Sequence, residues 1–190
     1  VRQGIQNSLM VVDMPYNTYN NTSQALKNCK KVMKLTKCDA VKIEGGLNKI
    51  KIIKNLIKNK IPVMGHLGIL PQSLKGKFKS KGKSIKEKNE LIRDCKLLED
   101  AGVFSIVLEC VERKLAERIT NLIKIPTIGI GSSNKCDGQI LVLDDILGLT
   151  ESKMRFVKKF VNLKKLIAYG AKKFKNEVKS KKYPSQKHTY

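Results

Sequence analysis

The chain has 190 residues, 41% hydrophobic and 29% charged, with a formal net charge of +23. That is enough for one globular domain with a sizeable core, and no apolar run approaches the ~20 residues that span a bilayer. The charge excludes less than it suggests. Only five of the 39 basic residues are Arg, aromatics make up 5%, and Trp is absent. The Arg forks and stacking platforms of nucleic-acid readers are therefore scarce, and the lysines read as a solvated basic surface.

The start, Val1-Arg2-Gln3-Gly4, has no apolar leader pattern. The five cysteines (Cys29, Cys38, Cys95, Cys110, Cys136) form no C-x-x-C pair. A reducing, cytoplasmic location without membrane association is the expectation.

In chain order the pattern alternates. Ser8 to Asp13 reads as a strand, and Thr22 to Lys37 as a helix with Thr22 or Ser23 at its N-cap. Asp39 to Glu44 is a strand. Leu47 to Lys60 is a helix, with Leu47, Ile50, Ile53, Leu56 and Ile57 on one side. Ile61 to Gly65 is a strand, Pro71 to Lys83 a loop rich in Gly, Ser and Lys, and Ser84 to Ala101 a helix. Val103 to Glu109 and Ile125 to Gly131 are strands around a helix at Val111 to Lys124. Gln139 to Asp144 reads as a sixth strand and Glu151 to Lys179 as a long helix. Residues 180–190 form a basic, irregular tail.

Repeated β-α-β units imply a parallel sheet covered by helices. A closed (β/α)8 TIM barrel needs eight strands and typically ~250 residues. Six units are countable here, so the expectation is a single barrel domain over residues 1–190, lacking two units.

Three acidic side chains end predicted strands: Asp13 in Val11-Val12-Asp13-Met14-Pro15, Glu44 in Val41-Lys42-Ile43-Glu44-Gly45-Gly46, and Glu109 in Ile106-Val107-Leu108-Glu109-Cys110. Strand C-termini of a parallel barrel converge on one mouth, where active sites are built. Lys42 and Glu44 are two apart and so share a strand face. Such a set suits a divalent metal and a proton-transfer group. His66 lies between two glycines in Gly65-His66-Leu67-Gly68, which lets backbone approach a ligand closely. On the residues alone, ordinary readings stay open. Asp13 before Pro fits a turn, Lys42 and Glu44 fit a surface pair, Glu109 fits a helix start, and His66 fits a structural histidine.

These motifs, with Ile128-Gly129-Ile130-Gly131, Asp137-Gly138-Gln139 and the ending Tyr183-Pro184 and His188-Thr189-Tyr190, closely resemble the ketopantoate hydroxymethyltransferase family over essentially the whole chain. The resemblance implies a (β/α)8 barrel and a cytoplasmic homo-oligomer in pantothenate biosynthesis. It implies transfer of a hydroxymethyl group from 5,10-methylenetetrahydrofolate to 3-methyl-2-oxobutanoate, giving 2-dehydropantoate through a Mg²⁺-stabilised enolate. It further implies Asp13 and Glu44 as Mg²⁺ ligands, Asp13, Lys42 and His66 as substrate-binding residues, and Glu109 as the catalytic proton acceptor. Oxygen ligands suit Mg²⁺, which keeps waters and can be chelated by a 2-oxo acid.

Family members carry two further βα units ahead of the strand matched by Ser8 to Asp13, with an Asp-Ser pair that adds a second metal carboxylate. No Asp-Ser dipeptide occurs in this sequence. The expectation is a piece of a longer product, inactive by itself, with a basic loop at 74–83 over the mouth. Two other classes compete: another Mg²⁺-dependent 2-oxo-acid barrel of the phosphoenolpyruvate mutase or lyase kind, and a non-catalytic basic binding protein.

Overall fold

The structure, a computed structural model, describes residues 1–74 and 78–190. The chain divides into two compact units, Val1–Ile140 and Leu141–Tyr190. Among the described residues no helix is long and apolar enough to cross a membrane.

The first unit carries six strands: β1 (Val11–Asp13), β2 (Ala40–Glu44), β3 (Val63–Gly68), β4 (Ser105–Glu109), β5 (Thr127–Ile130) and β6 (Gly138–Gln139). All neighbours are parallel, and the spatial order is the chain order, β1 to β6. Every crossover therefore steps the sheet in one direction. A doubly wound sheet would reverse its order part-way, so this is the winding of a TIM barrel with six of its βα units. The predicted strand at Ser8 to Asp13 is real but covers only Val11–Asp13.

Helices α1 (Thr22–Thr36), α2 (Ile50–Lys58), α3 (Ile85–Asp100) and α4 (Arg113–Leu122) provide the four crossovers from β1 to β5. Each starts where a local signal lets it. Asn21, rather than Thr22 or Ser23, caps α1, its side chain accepting from the Gln24 N–H at 2.9 Å. Ser84 caps α3 by accepting from the Glu87 N–H, and Glu87 in turn accepts from the N–H groups of Gly82 and Lys83. Glu112 caps α4 through the N–H groups of Lys114 and Leu115. These side chains satisfy donors that a helix start would otherwise leave unpaired.

Strand alternation divides the sheet into two faces. Val41 and Ile43 of β2 and Ile106 and Leu108 of β4 join Ile53 and Leu56 of α2, Leu98 of α3 and Ile119 of α4 in one buried apolar cluster. The intervening positions, Lys42, Glu44, His66, Val107 and Glu109, take the opposite face. Register sets Asp13 beside Lys42, Glu44 beside His66, and Gly68 beside Glu109.

Other segments depart from expectation. Strand pairing at the predicted sixth strand is limited to Gly138–Gln139, and Leu143–Ile146 forms a short helix, α5. The final helix, α6, spans Leu163–Lys179 rather than beginning at Glu151. Asn162 sets that start, accepting from the Lys165 N–H at 3.1 Å. An Asn side chain that binds backbone in this way favours a helix end over a helix interior. Met154, Val157, Phe160 and Val161, which lie within the predicted helix, precede it instead. Of the basic loop at 74–83, Lys75, Gly76 and Lys77 lie outside the described residues. Its far end is fastened beside β4, where Lys81 bridges to Val111.

One glycine ties this fold to the mouth. Gly68 has φ +98°, and a Cβ there would lie 2.1 Å from the Glu109 carbonyl oxygen. Gly68→Ala is expected to cost about 1–3 kcal/mol from backbone strain alone, and more from the contact, in urea unfolding of the chain. A loss below about 0.5 kcal/mol, the range of ordinary surface changes, would show that the close approach is not a constraint.

Candidate active site at the strand ends

The predicted side chains meet at the C-terminal ends of β1 to β4. Asp13 closes β1, and its side chain is 55% exposed. One strand over, the Lys42 ammonium reaches Asp13 Oδ1 at 3.0 Å with its own side chain 14% exposed. From there Lys42 Nζ lies 3.3 Å from Nδ1 of His66, a residue only 1% exposed. The other ring nitrogen, Nε2, lies 3.1 Å from Glu109 Oε2. Asp13, Lys42, His66 and Glu109 thus form a continuous line across four adjacent strands.

Glu44 stands beside that line, its Oε1 3.7 Å from His66 Nδ1. Burial holds the Glu44 carboxyl above the usual carboxylate range, and the charge of Asp13 pushes the same way. The Gln72 N–H and the Lys42 ammonium pull against both. The site therefore collects three carboxylates around one ammonium.

Two contributors escape the sequence reading. The backbone N–H of Gln72 donates to Glu44 Oε2 at 3.2 Å. The Gln72 side chain donates to the Met14 carbonyl at 3.0 Å and accepts from the Tyr19 hydroxyl at 2.8 Å. Gln72 thereby pins the turn after β3 to the segment after β1 and holds Glu44 in place. Burial pushes the Tyr19 hydroxyl up to about 12, with Glu44 adding to the shift, so Tyr19 remains a donor at neutral pH. Lys49 covers the Tyr19 ring, with Nζ 4.9 Å from its centroid. Pro71 at the first position of the Pro71–Ser73 turn is a sequence cue to that turn; nothing local marks Tyr19. Tyr16, Tyr19, Glu44, Asn48, Lys49 and Gln72 line a cleft of about 200 Å³.

A divalent cation fits this donor set in one respect. Among the described residues no three His, Cys, Asp or Glu side chains gather closely enough to hold an ion by themselves. Mg²⁺ does not require that, because it is commonly bound through one or two carboxylates and completes its octahedron with water and substrate oxygens. The charge of Asp13 adds to the cost of ionising Glu44, and a cation held by both would relieve it.

The model of the family described as ketopantoate hydroxymethyltransferase matches residues 1–186. A Pelagibacter ubique protein named 3-methyl-2-oxobutanoate hydroxymethyltransferase is 61% identical over 190 residues, which are 100% of this chain and 74% of the relative. Relatives of the same name from Clostridium botulinum and Sulfurimonas denitrificans are 47% and 44% identical, with 70% and 73% of their lengths covered and 100% of this chain. The chain belongs to the ketopantoate hydroxymethyltransferase family, a family of transferases.

Proposed function

We propose that the site serves transfer of a hydroxymethyl group from 5,10-methylenetetrahydrofolate to 3-methyl-2-oxobutanoate, giving 2-dehydropantoate for pantothenate synthesis. The observation that carries this reading is the line Asp13–Lys42–His66–Glu109 at the strand ends of a family member. It joins a cationic side chain for an anionic substrate to a carboxylate suited to proton removal.

In this reading the Lys42 ammonium faces the substrate's negative charge and orients it. Glu109 takes the proton from C3, which requires hydrogen-bond reach of that proton. Water adds to the methylene carbon of the folate and its two carbon–nitrogen bonds break in turn, both nitrogens taking protons, to leave tetrahydrofolate and formaldehyde. The electron pair left at C3 then bonds to the formaldehyde carbon, whose oxygen takes a proton to become the hydroxymethyl group. Asp13 and Glu44 would hold Mg²⁺, which when bound supplies a Lewis acid at the 2-oxo group and makes C3 more acidic. Gln72 keeps Glu44 oriented meanwhile, by its backbone N–H.

Exchange of the C3 proton of 3-methyl-2-oxobutanoate for deuterium isolates the Glu109 step from folate. It is best followed in the 190-residue chain, and in the chain extended by the part of the Pelagibacter relative that it does not span. Glu109→Gln is expected to slow exchange about 10²–10⁴-fold, the range of positioned acid–base catalysis. An unchanged rate would remove Glu109 as the base.

A second test uses the charge of Glu44. Its carboxyl sits above the usual range when folded, so the folded chain keeps that proton to higher pH than the unfolded chain. The group disfavours folding least below its unfolded value of ~4.3, and stability declines as pH rises through the folded value. Without divalent cations, Glu44→Gln should melt at a higher temperature than the parent at pH 7, and the difference should close by about pH 4. Equal melting at pH 7 would contradict the electrostatic cost assigned to Glu44.

A further inference from the structure

His66 is the one side chain of the line without a route to solvent, and its two nitrogens face groups of opposite charge. Nδ1 is 3.3 Å from the Lys42 ammonium. An ammonium has only protons to offer, so Nδ1 can only accept there. The alternative partner of Nδ1, Glu44 Oε1, is 3.7 Å away, outside hydrogen-bond range. The ring proton is then left to Nε2, on the side of Glu109. Nε2 lies 3.1 Å from Glu109 Oε2, yet the approach is out of line, and Nε2 makes no hydrogen bond. A buried N–H in that condition costs free energy until an acceptor swings into line, and Glu109 Oε2 is the nearest one.

We infer that His66 is a positioning residue for Glu109, held as the Nε2–H tautomer by Lys42. Its N–H captures one carboxylate oxygen and leaves the other to receive the substrate proton. Lys42 thereby acts twice, on the substrate's charge and on the tautomer of the residue that aims the base. This rests on Glu109 being the base, as proposed above, but the tautomer can be tested without any reaction.

The chain has two histidines, His66 and His188, so ¹⁵N-histidine labelling gives two imidazoles, and His188→Gln assigns them. The expected spectrum at neutral pH shows His66 Nε2 bearing its proton and Nδ1 bare. In Lys42→Met that preference should weaken. A protonated Nδ1, whether as the other tautomer or as an imidazolium, would overturn the inference, as would an unaltered preference in Lys42→Met.

The catalytic half is read from deuterium exchange. His66→Asn keeps an acceptor near the Nδ1 position but removes the donor toward Glu109. It should lower kcat for exchange about 10–100-fold, as orienting partners typically do, with KM unchanged. His66→Gln, whose amide can place an N–H near the Nε2 position, should recover part of that loss. A rise in KM with kcat intact would make His66 a substrate ligand instead. Failure of Glu109→Gln to slow exchange would sink the base and leave the tautomer result standing.

Discussion

Three carboxylates face one ammonium at the strand ends, and this imbalance is the constraint around which the site is arranged. Lys42 offsets Asp13 directly. On its other side it lies 3.3 Å from Nδ1 of His66. Glu44 and Glu109, both buried, receive no full partner of opposite charge. Taking a charge out of water is expensive unless it is paired, so the raised Glu44 carboxyl is the expected symptom. A bound divalent cation, as proposed above, would offset that deficit.

The fold makes this arrangement cheap to position and costly to disturb. Parallel strands in chain order bring the ends of β1, β2, β3 and β4 side by side. Alternation then sends apolar residues to the helices and Lys42, Glu44, His66 and Glu109 to the other face. Gly68 lets β3 pass within van der Waals reach of the Glu109 backbone. The precision of the acidic groups therefore derives from strand register rather than from loops. Gln72 is the exception, a turn residue that reaches back to both Glu44 and Met14.

What could be read from the sequence follows the same division. Asp13, Glu44 and Glu109 end apolar β-branched runs, and a period of two places Lys42 with Glu44. These positions were legible because strand geometry alone determines them. The winding was legible too, because the β-α alternation leaves few other topologies. Tyr19 and Gln72 were not, because their partners are 53 and 58 residues distant and only packing brings them together. The strand predicted at Gln139 to Asp144 stops at Gln139 for a different reason. A short apolar run fits a strand or a helix equally, and here Ile140, Val142 and Leu143 are largely exposed. The helix start at Leu163 depended on recognising Asn162 as a cap within a stretch that also carries apolar residues at helical spacing.

The most direct test of the charge deficit is calorimetric titration of Mg²⁺ into the chain in the presence of 3-methyl-2-oxobutanoate. Saturable binding is expected, weakened by at least about tenfold, or ~1.4 kcal/mol, in each of Asp13→Asn and Glu44→Gln. Binding of equal strength in both variants, or none in the parent chain, would contradict it.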